Sequence, residues 1–264
     1  GGAIDLDGDY GGADLRWSWR GELAGREFEF TTGASFDRQD QHRRGYENFN
    51  GGLPGVRGAL RRDERNRTDD FDQYAQAWWR FAPRWSLLAG ARHSQVRFAA
   101  RDAYVTANNP DDSGRVEYAR TTPVAGLAFA PSDDLRFYLS AGFETPTFNE
   151  LGYRADGGAG LAYDLKPAVS RNLELGGKWR NGRGASLDAA LFRADTDAEL
   201  AVARNVGGRS SYRNVGRARR DGFELAAALP LGERWRFDLA YTRLDARFRD
   251  GFPVCSASGC TNPS

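Results

Sequence analysis

The chain has 264 residues, and 37 Lys and Arg against 36 Asp and Glu leave a net charge of +1; a nucleic-acid binder would carry a clear basic excess, so that class is excluded. Charged residues make up 28% of the chain and mean hydropathy is −0.65, and no run reaches the roughly 18 apolar residues a membrane helix needs. A transmembrane β-barrel is not excluded, because its strands alternate between lipid and a polar lumen and it looks hydrophilic overall. Abundant Gly (32), 12% aromatics with 7 Trp, and no Met fit barrel strands with aromatic girdles in a mature or excised segment.

In chain order, Gly1-Gly2-Ala3-Ile4 has neither the basic start nor the apolar core of a signal peptide, and the chain is expected to open in a polar loop. Asp5-Leu6-Asp7-Gly8-Asp9 has the look of a calcium loop. The EF-hand pattern, however, wants Gly at its sixth position and Glu at its twelfth, where Tyr10 and Arg16 stand. No metal site is expected there. Period-2 alternation follows, the mark of strands with two unlike faces. Leu15, Trp17 and Trp19 oppose Asp14, Arg16, Ser18 and Arg20. Phe28, Phe30 and Phe36 alternate with Glu29, Thr31 and Asp37, and Ala75, Ala77 and Trp79 with Tyr74, Gln76 and Trp78. Leu135, Phe137 and Leu139 oppose Arg136, Tyr138 and Ser140; Leu173, Leu175 and Trp179 oppose Asn172, Glu174 and Lys178. Phe223, Leu225, Ala227 and Leu229 precede a last set, Trp235, Phe237, Leu239 and Tyr241.

Short turns at 22–26, 82–84, 130–134, 181–184 and 230–233 alternate with long polar stretches at 40–66, 106–114, 144–168 and 199–211. That is the hairpin rhythm of an outer-membrane barrel, with short periplasmic turns and long extracellular loops. Ten strands are expected, many of nine residues or more, enough to cross a bilayer at a tilt. A β-sandwich would use strands of about 5–6 residues, and a propeller would repeat a signature every 40–50 or so. The tail, 251–264, reads as another polar loop. An open ten-stranded wall would leave two unpaired edges in lipid, so the chain is expected to be part of a larger ring. Cys255 and Cys260 permit a local disulfide and an oxidising compartment; free thiols or half a metal site are the alternatives.

Three segments carry a resemblance. Phe143-Glu144-Thr145-Pro146-Thr147-Phe148-Asn149-Glu150-Leu151 is similar to the aromatic-x-(Ala/Thr)-Pro-(Thr/Ser)-Phe-x-Glu-Leu segment of TonB-dependent outer-membrane receptors. Leu165-Lys166-Pro167-Ala168-Val169-Ser170-Arg171-Asn172-Leu173-Glu174-Leu175-Gly176 resembles the family's Leu-(Lys/Asn)-Pro-Glu-x-Ser-x-Asn-x-Glu-x-Gly pattern, with Ala168 where Glu is usual. Asn214-Val215-Gly216, a spacer, and Gly222-Phe223-Glu224 resemble the family's Asn-x-Gly and Gly-(hydrophobic)-Glu. Pro146 is expected to stop a ladder where its strand leaves the membrane. Asn172, Glu174 and Glu224 fall on the polar phase, where a lumen can solvate them.

The resemblance implies a 22-stranded barrel in the bacterial outer membrane, with an N-terminal plug and a Ton box that contacts the TonB complex. Residues 1–264 would be a partial barrel domain, roughly the ninth to the eighteenth strand, with plug, Ton box and closing strands absent. The implied activity is import of a ferric siderophore or another nutrient chelate, with no cofactor and no resident metal. Lipid and lipopolysaccharide are the implied surroundings. The candidate ligand-facing loop is 40–66, with Arg43, Arg44, Arg57, Arg61, Arg62 and Arg65 beside Tyr46 and Phe49. Guanidinium forks and aromatic rings suit an anionic, flat chelate. The alternative is a solvated loop against lipopolysaccharide, since Asp40, Glu47, Asp63 and Glu64 are interspersed. A passive porin-like channel is a second reading. A barrel protease is a third, but only His93 with Asp102 and His42 with Asp40 are on hand, so no enzyme is expected.

Overall fold

The computed structural model describes residues 2–144, 161–206, 209–232, 234–256 and 259–261. In chain order the strands are β1 (Gly2–Leu23), β2 (Arg26–Glu47), β3 (Phe49–Asn50), β4 (Leu53–Pro54), β5 (Leu60–Ala82), β6 (Trp85–Asp102), β7 (Gly114–Phe129) and β8 (Leu135–Glu144). There follow β9 (Val169–Arg180), β10 (Ser186–Asp197), β11 (Leu200–Val206), β12 (Arg209–Asn214), β13 (Ala218–Leu231), β14 (Trp235–Phe248), β15 (Val254–Ser256) and β16 (Gly259–Thr261). Ten of them form one sheet in the order β1-β2-β5-β6-β7-β8-β9-β10-β13-β14. Every pairing in it is antiparallel. The sheet does not close on itself: β1 and β14 are its edges.

The short connections have the chemistry of tight turns. Between β1 and β2, Ala24 and Gly25 both take positive φ, 55° and 69°, as a two-residue type I′ hairpin requires. Between β9 and β10 the Asn181 carboxamide oxygen accepts from the amides of Arg183 (3.0 Å) and Ala185 (2.8 Å), and Gly184 supplies the left-handed residue at φ 86°. Tight turns with right-handed twist put alternate strands directly beside their sequence neighbours, and the longer connections between them bring the next hairpin alongside.

Four stretches expected to be loops are largely strand. β2 runs on to Glu47 and β5 begins at Leu60, so the stretch 40–66 is an extended hairpin tipped by β3–β4. The stretch 199–211 contains β11 and the first half of β12, and the tail contains β15 and β16; together they form a four-stranded sheet β12-β11-β15-β16. The opening segment lies within β1, which holds Asp5, Asp7 and Asp9 on one phase of a strand rather than wrapped around a cation. Ion pairs accompany the ladder there: Arg44 stands opposite Asp5 across β1–β2 and pairs with it at 3.2 Å, and His42 of β2 reaches Asp63 of β5 at 2.7 Å, contacts that stabilise an antiparallel sheet without apolar help.

The sheet has one apolar face and one polar face. Leu15, Trp17, Leu175 and Leu191 are 76, 56, 55 and 57% exposed, so no other layer among the described residues covers the apolar side. No large side chain is fully buried among the described residues. A water-soluble domain of this size would bury most of its apolar surface in a core; here the apolar face has to be covered from outside. Near the short turns that face carries paired rings, Trp19 with Phe28 at 5.7 Å and Trp85 with Phe129 at 4.6 Å between centroids, the place of an aromatic girdle.

The polar face is held by rings seated on glycines. Tyr74 lies opposite Gly33, Tyr138 opposite Gly176 and Phe192 opposite Gly222. A Cβ built on Gly222 would come within 2.2 Å of Phe192 Cζ, and one on Gly176 within 2.3 Å of Tyr138 Cζ. Each glycine is thus a seat for a cross-strand ring. Gly222→Ala should unseat Phe192 and destabilise the refolded full-length barrel by about 1–3 kcal/mol, as overpacking does. The urea midpoint of the heat-modifiable form reads this, and adding Phe192→Leu should recover part of the loss.

Candidate ligand-facing wall

The polar phases of the central strands line a trough of about 590 Å³ that touches Tyr74, Gln76, Arg92, Asn172, Glu174 and Phe192. Arg92 pairs with Asp72 across the β5–β6 ladder, and Tyr138 donates its hydroxyl to Glu174 at 2.5 Å. One carboxylate oxygen each of Asp70 and Asp72 is buried without a partner. The trough itself is lined by the Glu174 carboxylate, the paired Arg92 guanidinium and the rings of Tyr74 and Phe192.

At the end of the sheet away from the short turns, the family-like residues meet. The Asn214 carboxamide accepts from Lys166 N at 2.8 Å and donates to Lys166 O at 2.8 Å and to Ala198 O at 2.7 Å. A single side chain thereby copies the donor and acceptor of a strand neighbour for the residue before Pro167. Gly216 follows at φ 94°, with Asp250 packed where a side chain would go: Asp250 Oδ2 is 2.5 Å from its built Cβ. Asp250 accepts from Arg217 N at 2.8 Å, Arg217 Nε at 3.1 Å and Arg217 Nη2 at 2.8 Å. These charge-assisted bonds hold the Asp250 carboxyl down at about 2. Beside this clasp, Ser170 donates to Asn172 Oδ1 (3.0 Å), Thr196 to Ser170 Oγ (3.2 Å), and Arg220 to Thr196 Oγ1 (3.2 Å) and Glu199 Oε2 (2.9 Å). Tyr163 covers Gly114 and donates to Asp112 O at 3.1 Å; burial first, then the Asp112 carboxylate, pushes its hydroxyl up to about 12.

The arginine-rich hairpin is split by its register. Arg43 shares the phase of Gly33 and Asp37 on β2, the trough side, and Arg62 shares that of Tyr74 on β5. Arg44, Tyr46 and Arg65 lie on the opposite, apolar-side phase, and Arg61 is the extra residue of a bulge at Gly45/Tyr46. Several are engaged within the chain. Asp5 takes Arg44 at 3.2 Å and Arg57 at 3.5 Å, Arg57 stacks 3.6 Å from the Tyr46 ring centroid, and Arg62 pairs with Glu64 at 2.6 Å. Arg43, Arg61 and Arg65 make no ion pair among the described residues. Phe49 is exposed in β3 at the hairpin tip.

His42 bonds Asp63 at 2.7 Å rather than Asp40, and His93 bonds Thr121 at 2.9 Å and Gln95 at 3.3 Å rather than Asp102. Pro146, Phe148, Asn149 and Glu150 lie outside the described residues. Cys255 stands opposite Cys260 in the β15–β16 register, and Cys260 is disulfide-bonded. Sequence reading missed Asp250, Arg217 and Asp5, whose partners are 33 and 39 or more residues away and become visible only through register.

A family model described as "TonB dependent receptor-like, beta-barrel" matches residues 2–259. This chain belongs to that family. Among curated relatives, it is 28% identical over 193 residues to the probable TonB-dependent siderophore receptor PiuA of Acinetobacter baumannii, covering 69% of this chain and 24% of PiuA. It is 29% identical over 216 residues to the probable TonB-dependent receptor BfrD of Bordetella pertussis, covering 78% of this chain and 28% of BfrD. The chain thus spans about a quarter of the length of these relatives. Among solved structures, the siderophore receptor PiuA superposes with a TM-score of 0.76 at 20% identity, over 98% of this chain and 41% of that one. The copper transporter OprC does so with 0.75 at 19%, over 94% and 39%. The alcaligin outer-membrane receptor FauA of Bordetella pertussis gives 0.69 at 21%, over 98% and 41%. These likenesses show the fold: an antiparallel barrel wall.

The clasp has a defined pH response. Asp250's folded value, about 2, lies below its ordinary 3.8, so its contribution is whole above about pH 4, fades as pH falls through 2, and is absent below. Amide exchange at Arg217, corrected for intrinsic rate, should lose protection over that window, whereas Asp250→Ala should be unprotected and flat across it. Asn214→Ala removes three hydrogen bonds and should cost about 1–3 kcal/mol, read as earlier proteolytic cutting near Lys166.

Proposed function

We propose that the protein to which this wall belongs is an outer-membrane TonB-dependent transporter for a ferric siderophore. The observation that carries the reading is the two-faced, one-layer sheet: an uncovered apolar face with aromatic rows suits lipid, and a polar concave face suits a lumen. On this reading the ten strands are the central wall of a barrel of about 22 strands. The plug, the Ton box that contacts TonB and the remaining strands would lie elsewhere in the protein. The short turns then face the periplasm, and the extended β2–β5 hairpin and the β11–β16 layer face outward. A Cys255–Cys260 link across β15–β16 agrees with that oxidising side.

The cargo is argued from chemistry and from relatives. PiuA is named a siderophore receptor, and the catecholate receptor Fiu of Escherichia coli (strain K12) is 30% identical over 114 residues, 43% of this chain and 14% of Fiu. OprC shares the fold with a different cargo, so the wall by itself does not select one. Arg43, on the trough side and without an ion pair, is the hairpin arginine best placed to meet an anionic chelate, and Arg62 follows behind its Glu64 pair.

Full-length protein in a strain stripped of its own siderophore receptors should give uptake of 55Fe-labelled ferric catecholate that stops when TonB is deleted. Arg43→Ala should weaken uptake about tenfold or more, the loss of one charge-assisted contact, and Arg44→Ala, on the other phase, should weaken it far less. Uptake that persists without TonB would favour a passive channel, and no uptake of any ferric chelate would overturn the cargo.

A further inference from the structure

We infer that the hairpin β15–β16 is a thiol–disulfide exchange site: a low-molecular-weight thiol opens the Cys255–Cys260 bond at Cys260 and so releases the hairpin from β11. The bond is what ties the hairpin shut. β15 and β16 are 3 residues each, and Cys255 faces Cys260 between the flanking pairs Val254–Thr261 and Ser256–Gly259. Cys260 is disulfide-bonded, and no cysteine is free among the described residues. Across 254–261 the sequence Val-Cys-Ser-Ala-Ser-Gly-Cys-Thr supplies one apolar side chain larger than Ala besides the cysteines, and no ring. Such a hairpin is marginal in water on its own. Its contact with the rest of the layer is a short parallel edge, Arg204 beside Cys255 and Asn205 beside Ser256. Loop-closure entropy over residues 255–260 favours the closed hairpin by roughly fortyfold, so the cross-link decides whether it stays folded.

The stem that carries the hairpin is held independently. Arg249 donates its amide to Arg217 O at 2.8 Å, and Asp250 clasps Arg217. Phe252 is 6% exposed and stands edge-on to Phe248 at 4.7 Å between centroids. The Arg213 guanidinium lies 5.7 Å from the Phe252 centroid and bonds Pro253 O. On the other side, β11 keeps its antiparallel partner β12 from Leu200–Asn214 to Val206–Arg209. Opening the bond therefore frees a flap hinged at Pro253 and leaves β11 with a bare edge, while the stem and the β11–β12 hairpin keep their places.

Exposure selects the sulfur. Cys260 lies exposed on the edge strand of the layer, where a thiolate reaches it without disturbing the fold, and attack on an accessible sulfur is how such bonds exchange. The incoming R–S⁻ bonds to Cys260 Sγ, and the Cys255–Cys260 bond breaks. Cys255 leaves as a thiolate and takes back from solvent the proton that the incoming thiol gave up. Cys260 then carries a mixed disulfide. When Cys255 loses that proton again it attacks Cys260 Sγ, expels R–S⁻ and recloses the hairpin, so no further oxidant is needed. Access from outside the cell rests on the outer-membrane reading above; the exchange itself does not.

The test exposes the full-length protein in detergent to glutathione, caps new thiols with N-ethylmaleimide at early times and maps both by peptide mass spectrometry, with amide exchange read alongside. Glutathione should sit on Cys260 and the cap on Cys255. Exchange across β15 and β16 should rise about fortyfold, while Arg217 stays protected. Cys255→Ser/Cys260→Ser should take no glutathione here and exchange at the raised rate without it; the thiol-treated wild type carries the test if this variant does not fold. A first adduct on Cys255, a bond that resists glutathione, or an adduct with β15 and β16 still protected would each overturn the site. Loss of protection at Arg217 would overturn the hinge. On intact cells a membrane-impermeant maleimide should label the hairpin only after glutathione. Failure there alone, with exchange intact in detergent, counts against the outer-membrane reading and not against the site.

Discussion

A sheet one layer thick has no interior, so the apolar side chains of these ten strands must find their apolar neighbour outside the chain. That constraint organises the rest of the structure. Each strand must alternate strictly, because a one-residue slip would exchange the apolar and the polar face. Each internal strand must satisfy its backbone through its two neighbours, because nothing in a membrane can do so instead. Charge must then be balanced locally rather than buried. The near equality of basic and acidic residues in the composition reappears as cross-strand pairs such as Arg193–Asp221 and Arg219–Asp195.

The same constraint explains what was legible in the sequence. Where one face meets apolar surroundings, period-2 alternation is loud, and Trp17, Phe30, Trp79, Leu139, Leu175 and Phe237 announced their strands and faces directly. Tight turns were equally plain, since Ala24-Gly25 and Asn181-Gly182-Arg183-Gly184 have few other uses. Above the band both faces are wet and the alternation fades, although the ladder does not. β2 and β5 continue with Arg44 paired to Asp5 and His42 to Asp63, in a stretch that reads from sequence as a mixed-charge loop. Only the fold turns those charges into cross-strand contacts. It also divides the candidate arginines between two faces, a distinction that no property of Arg43 or Arg44 alone could reveal.

The residues that carry the family resemblance turn out to be builders of the wall. Asn214 stands in for a missing strand beside Lys166, Gly216 leaves room for Asp250, and Gly222 seats Phe192. Asn172 joins the hydrogen-bonded chain through Ser170 and Thr196 that ends on Arg220 and Glu199. On the proposed reading, none of these roles depends on what passes through the barrel. A motif that specifies how strands are spliced together is free to persist while cargo changes. The alcaligin receptor FauA and the copper transporter OprC share this wall at about one identity in five.

On the proposed reading, selectivity comes from positions the wall leaves unconstrained, and the extended β2–β5 hairpin is one such surface. Its rungs need only opposite charges in register, so which arginine faces which way can change without cost to the ladder. Arg43 and Arg65 illustrate the outcome: similar charge and similar height on neighbouring strands, but opposite phases. On the proposed reading Arg43 meets the incoming chelate and Arg65 faces away from it, so a single hairpin presents its charge to two sides through the strand phase on which each residue falls.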